Sequence, residues 1–230
     1  MCGRYSRARQ GLCYVVPLIP DAVYPESDLF RPSWNVAPGT PQPVIRPDGP
    51  RLERWGYRPA WADPRGAPMM VNARLDRATT STWRSAWTSS RVIVPADGWY
   101  EWVLEEGAKQ PYYITPIDGE PLFFAGLSGV RQGAVPREDK GFVIVTDAAG
   151  EGMLDVRDRR PLVLSAEAAE GWLDPSTTFE EATHLANNAG RPVEAFRWFA
   201  VSKGVNKAGN DDPAFNEPLG GPDSAPGASA

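Results

Sequence analysis

The sequence predicts a single domain built on a largely antiparallel β-sheet system with few helices, and three observations carry that reading. At 230 residues and 42% hydrophobic content, the chain suffices for one sizeable core and is short for two. Short apolar runs bounded by Gly, Pro and Asp recur along it. They follow one another without a helical period between each pair, which βαβ units would require.

In chain order the predicted strands are 43–45, 91–95, 99–103, 112–115, 122–126, 142–146 and 162–164. Helix signals are fewer. Residues 83–89 follow a Ser/Thr cluster at 79–82 and form the first candidate. Ser165 can cap a helix over 166–173, with Glu167 and Glu170 in or near its first turn. Thr177 or Thr178 can cap another that runs to about residue 187 and stops before Gly190. From Leu219 the composition collapses to Gly, Pro, Ser and Ala, so the expected division is a domain over 1–218 and a disordered tail over 219–230. The sequence holds no internal repeat and no Walker or GxGxxG phosphate loop.

Residues 1–10 carry three arginines but are not followed by a clean apolar block, and no apolar run approaches the ~20 residues of a membrane span. The expectation is a soluble, cytoplasmic chain with no membrane partner. Cys2 and Cys13 are expected to stay reduced, with Cys13 in the core beside Leu12 and Tyr14. No His/Cys cluster has metal spacing, so neither metal nor other cofactor is expected. The net charge of −5 is uneven: residues 1–100 hold 13 Arg and no Lys against 8 acids, or +5, while residues 101–230 hold 11 bases against 21 acids, or −10. That polarity permits a basic groove on an acidic body, because phosphate binding follows local potential. A compositional preference for arginine over lysine would explain the missing lysines equally well.

The chemistry starts at Met1-Cys2-Gly3-Arg4. Removing one methionine leaves a residue with both an α-amine and a thiol. The amine, with a pKa of about 7.7–8.0, is partly uncharged near neutral pH. A 1,2-aminothiol suits aldehydes: the amine forms a Schiff base, and the thiol then closes a five-membered thiazolidine on the same carbon. The plain alternative is the second residue of a frayed terminus.

Asn72-Ala73-Arg74 follows the apolar stretch 69–71, which sets an amide and a guanidinium at the end of a strand. Such a pair can orient an amine and hold a phosphate, although alone it reads more simply as a turn asparagine and a surface arginine. In residues 95–102, Pro-Ala-Asp-Gly-Trp-Tyr-Glu-Trp, an extended backbone puts Glu101 on one face with Trp99 and Val103. Desolvation there would raise its pKa toward the general acid–base range; a solvated edge-strand glutamate is the alternative. Residues 155–161, Asp-Val-Arg-Asp-Arg-Arg-Pro, read alone as a salt-bridged loop, and the single histidine, His184, as a surface or helix-end residue.

Taken in order, Met1-Cys2-Gly3-Arg4-Tyr5, Asn35-Val36-Ala37-Pro38, Trp55-Gly56-Tyr57, Asn72-Ala73-Arg74, residues 95–102 and residues 158–164 resemble the SRAP family of abasic-site processing proteins, over residues 1 to about 218. The resemblance implies an α+β fold around a largely antiparallel, β-barrel-like core with flanking helices. It also implies a monomer that binds single-stranded DNA containing abasic sites and joins the lesion aldehyde covalently, with lyase activity through the Schiff base, in a cytoplasmic, nucleoid-associated setting. Carried over by position, Cys2 is the crosslinking nucleophile, Asn72 the amide that positions amine and ring, and Glu101 the acid–base carboxylate. Arg4, Arg74 and Arg159 resemble phosphate contacts, Pro38 and Thr146 line the DNA site, and Trp61 supplies an aromatic.

Three positions depart from that pattern. The stretch from Trp61 to Asn72 is longer here, and Asp76 stands where the family has glutamate. Arg157 replaces a histidine just before Asp-Arg, and arginine cannot give up a proton near pH 7. A fixed cation there would hold a phosphate or the sugar's ring oxygen instead. Two other classes remain: an N-terminal-cysteine peptidase or amidohydrolase, which with Cys2 directly after Met1 has no propeptide to remove, and a non-covalent single-strand binder.

Overall fold

The longest apolar runs become the strands buried on both faces. β6 (Arg91–Ala96) and β9 (Leu122–Ser128) are buried throughout, and β10 (Phe142–Ala148) is buried over its first five residues. The computed structural model describes residues 2–21, 29–58, 69–78, 82–130, 140–148 and 159–220. β6, β9 and β10 lie inside an eight-stranded sheet with β3 (Pro41–Arg46), β4 (Gly49–Arg54), β5 (Asn72–Arg74), β11 (Arg159–Pro161) and β12 (Val163–Leu164), in the order β11-β10-β9-β6-β3-β4. β12 joins β9, and β5 joins β10.

A five-stranded sheet takes the order β13-β8-β7-β1-β2. Its members are β1 (Tyr5–Arg7), β2 (Ser33–Val36), β7 (Gly98–Glu105), β8 (Ala108–Pro116) and β13 (Phe196–Ala200). Side-chain alternation sorts the core into layers. Val92, Val94, Phe124, Phe142 and Ile144 of the larger sheet meet Tyr5, Trp99, Ile114 and Phe196 of the smaller. Their neighbours Ile93, Ala125, Val143 and Val145 face the helices, and Tyr100, Tyr113 and Phe199 form a third cluster with Val201, Val205 and Phe215.

The helices are α1 (Leu12–Val15), α2 (Leu75–Ala78), α3 (Arg84–Ser89), α4 (Ala166–Leu173) and α5 (Phe179–Asn188). Ser165 Oγ accepts from Ala168 N at 3.2 Å, as its sequence position predicts. Of the two candidate threonines, Thr178 caps α5: its Oγ1 accepts from Glu181 N at 3.2 Å while Glu181 Oε2 accepts from Thr178 N at 2.8 Å.

The fold is mixed α/β, with antiparallel pairing throughout the named ladders except one. Among the described residues the named ladders form two sheets that share an apolar layer and close into no ring, although Trp55, directly after β4, bridges Phe142 at the start of β10. The exception is β5, which runs parallel to β10. Cys13 corrects another expectation: it is exposed, because α1 turns only Tyr14 and Val15 inward. Leu219, placed in the expected tail, donates its N–H to Ala200 O at 2.9 Å; residues 221–230 lie outside the described residues.

Candidate functional site

β1 sets the position of the N-terminus. Tyr5 pairs with Trp99 and Ser6 with Gly98, and Tyr100 N donates to Arg4 O at 3.1 Å. Carried one step further, that register sets Gly3 opposite Glu101. Cys2 thereby enters the layer between the sheets, fully buried with Tyr5, Trp55 and Trp99 in one cluster. Its carbonyl accepts from Asn72 Nδ2 at 2.9 Å, and its Sγ lies 3.9 Å from Arg4 O. Burial pushes the thiol pKa well above its ordinary value, and the Glu101 carboxylate pushes it further. The thiol is therefore neutral at physiological pH. Glu101 is itself only 6% exposed, on the buried half of β7 with Trp99.

The β5–β10 ladder brings the next group together. Asn72 pairs with Ile144, and Arg74 with Thr146. Asn72 begins β5 and does not follow a strand ending at Val71, as the sequence suggested; that end is tied instead by Trp55 Nε1, which donates to Val71 O at 2.9 Å. Thr146 is fully buried, and its Oγ1, like Asn72 Oδ1, has no hydrogen-bond partner among the described residues. Trp55 also packs on Tyr5, with ring centroids 5.2 Å apart, and its carbonyl accepts from Gly39 N at 2.8 Å. Pro38, half-buried, directly precedes Gly39 in that turn.

Arg74 and Arg159 converge on Asp76. Arg74 donates through Nε and Nη2 at 3.1 and 2.6 Å, and Arg159 Nη2 lies 3.3 Å from Asp76 Oδ1. The hydrogen bond from Arg74, foremost, and the charges of Arg159 and Arg77 hold the Asp76 pKa below the usual carboxylate value. Arg4 is occupied differently: its Nη1 donates to Asn35 Oδ1 at 2.7 Å and to Val205 O at 2.8 Å, anchoring the N-terminal segment to the C-terminal part of the fold. Asn35 extends that clamp by donating to the carbonyls of Val205, Lys207 and Asn210. Burial lowers the Arg4 pKa.

Trp61 and Arg157 lie outside the described residues, as do Asp155 and Asp158. His184 is exposed on α5. Among the described residues no group of three or more His, Cys, Asp or Glu is placed to hold a metal ion. Sequence reasoning assigned no role to Tyr5, Asn35 or Trp55, although each stands in a motif it singled out. Their contacts join segments far apart in sequence, which motif spacing alone does not reveal.

A buried cysteine next to the start of the chain is clasped by an asparagine from the opposite sheet, and two arginines converge on one aspartate two residues beyond that asparagine's strand. The family model described as SOS response associated peptidase (SRAP) matches residues 1–208, and the chain belongs to that family. The chain is similar to the abasic site processing protein YedK of Escherichia coli, 36% identical over 95% of this chain and 100% of that one. The abasic site processing protein YoqW of Bacillus subtilis is 31% identical over 94% of this chain and 99% of its own. Among solved structures, a phage-related protein of Bordetella bronchiseptica aligns with TM-score 0.74 and 38% identity, covering 88% of this chain and 95% of its own. A protein from Bacteroides thetaiotaomicron, at TM-score 0.76 and 23% identity, covers 94% and 99% and shares the fold. No helix among the described residues is long and apolar enough to cross a membrane.

Proposed function

We propose that this chain processes abasic sites in single-stranded DNA by forming a thiazolidine crosslink through Cys2 once Met1 is removed. The observation that carries the reading is the placement of Cys2: Asn72 Nδ2 donates to its carbonyl at 2.9 Å, and the β1–β7 register, carried on, sets Glu101 opposite its neighbour Gly3. The names of the curated relatives point to the same substrate.

The freed α-amine attacks the sugar aldehyde, and water leaves as the Schiff base forms. The thiol then adds across the C=N bond; sulfur bonds to carbon and its proton passes to nitrogen. Atoms balance as one aldehyde plus one aminothiol giving one thiazolidine and one water. Asn72 fixes the backbone that bears the amine, and Glu101 moves protons at the departing oxygen and at the thiol. The same Schiff base permits β-elimination of the strand, a lyase reaction. Burial of the Cys2 sulfur weighs against a peptidase that opens with a thiolate. Arg74 and Arg159 supply cations for the backbone, and Arg4 holds the segment that carries Cys2.

The test incubates the purified, Met1-free protein with a single-stranded oligonucleotide carrying one abasic site, followed by a denaturing gel. The expected result is a heat-stable adduct from the wild type and none from Cys2→Ala. A heat-stable adduct in normal yield from Cys2→Ala would overturn the reading.

A further inference from the structure

Arg74 and Arg159 belong to strands that each pair with β10, and both turn toward one carboxylate. Asp76 is the second residue of α2, two positions beyond the end of β5, and takes Nε and Nη2 of Arg74 on its two oxygens, at 3.1 and 2.6 Å. Its Oδ1 also lies 3.3 Å from Arg159 Nη2. The Nε/Nη2 edge is a face through which a guanidinium grips a carboxylate or a phosphate with two parallel bonds. Asp76 already fills it. The ladders keep this contact beside Thr146, since Arg74 pairs with Thr146 and Arg159 with Ala148 two residues further along β10.

We propose that Asp76 is a built-in competitor for the DNA phosphate at this rim: it occupies the arginine fork until a phosphodiester displaces it, and so tunes the affinity of non-covalent binding. The proposal rests on the DNA reading above. Both anions carry one negative charge and present paired oxygens, so they compete for the same fork. A phosphate that shared the rim without displacing Asp76 would feel its like charge. The carboxylate side chain is 51% exposed, so it can swing out into water without leaving a buried group unpaired. Exposed ion pairs are weak, and the effect of removing this one is therefore few-fold.

The experiment measures binding of an unmodified single-stranded oligonucleotide by fluorescence anisotropy, which keeps crosslinking out of the readout. Asp76→Asn should bind about two- to fivefold more tightly than the wild type at low salt, and the gain should shrink as salt screens the charge. Asp76→Ser, with melting curves for both variants, guards against a folding defect peculiar to one of them. Loss of a merely structural contact would weaken binding, the opposite sign. Wild-type binding with both variants equal or weaker overturns the competitor proposal and leaves the DNA reading standing. Absence of any DNA binding by the wild type overturns both.

Discussion

Under the proposed function, removal of Met1 gives Cys2 two nucleophiles, an amine and a thiol. Its thiol is held protonated by burial and by Glu101, whereas Cys13 is exposed on α1. Because the thiolate is the form that alkylating reagents attack and a reagent must reach the sulfur, exposed Cys13 should be modified well before buried Cys2. Glu101→Gln should speed modification of Cys2 relative to the wild type and leave Cys13 unchanged, as read by mass spectrometry of the labelled peptides. Faster labelling of Cys2 than of Cys13 in the wild type would contradict the burial and the repulsion alike. The residue types at 2, 72 and 101 were legible in the sequence because aminothiol, amide and carboxylate chemistry belongs to the side chains themselves. The bridging position of Asp76 was not, since it depends on β5, β10 and β11 lying side by side. Cys13 misled because its neighbours Leu12 and Tyr14 look alike in sequence, while a one-turn helix sends one outward and the other inward.

The strands foreseen from sequence are chiefly those whose apolar runs are buried on both faces. β1, β2 and β4 escaped because Tyr-Ser-Arg, Ser-Trp-Asn-Val and Gly-Pro-Arg-Leu-Glu-Arg contain no such run. β2, β4 and β13 lie at sheet edges. Packing between elements is harder still to foresee, and Arg91 shows why. It opens β6 as the polar start of an apolar run, yet it is only 6% exposed and donates to five backbone carbonyls. Trp87 and Thr88 belong to the C-terminal end of α3, Trp172 to that of α4, and Asp174 and Thr177 follow α4. One guanidinium thus satisfies the orphan carbonyls of two helix ends and places its charge where their dipoles favour it. Lysine keeps the charge but loses the planar fork. Arg91→Lys should therefore destabilise the fold by about 3 kcal/mol, through carbonyls left buried without donors. That corresponds to a fall in Tm of about 6–12 °C, measurable by calorimetry. A change under ~2 °C would show that these carbonyls find other partners.

At the scale of the whole molecule, the net charge of −5 opposes an anionic ligand, but the charge is uneven along the chain, +5 over residues 1–100 and −10 over residues 101–230. Arg4, Arg74 and Arg77 come from the arginine-rich first hundred residues, and the ladders add Arg159 from the acidic remainder to the same rim as Arg74. Local potential, not total charge, then governs association with a polyanion. For single strands, the logarithm of affinity falls with the logarithm of salt concentration at a slope of about −0.7 for each phosphate neutralised. If Arg74 and Arg159 each hold one phosphate, the predicted slope is about −1.4, or a roughly sevenfold loss of affinity between about 50 and 200 mM salt. Arg74→Ala should cut that slope by about half, because one of the two phosphate contacts disappears. Affinity for an unmodified single strand, measured by anisotropy across that salt range, decides the matter. A salt-independent affinity, or an unchanged slope in Arg74→Ala, would mean that the strand is held elsewhere on the surface.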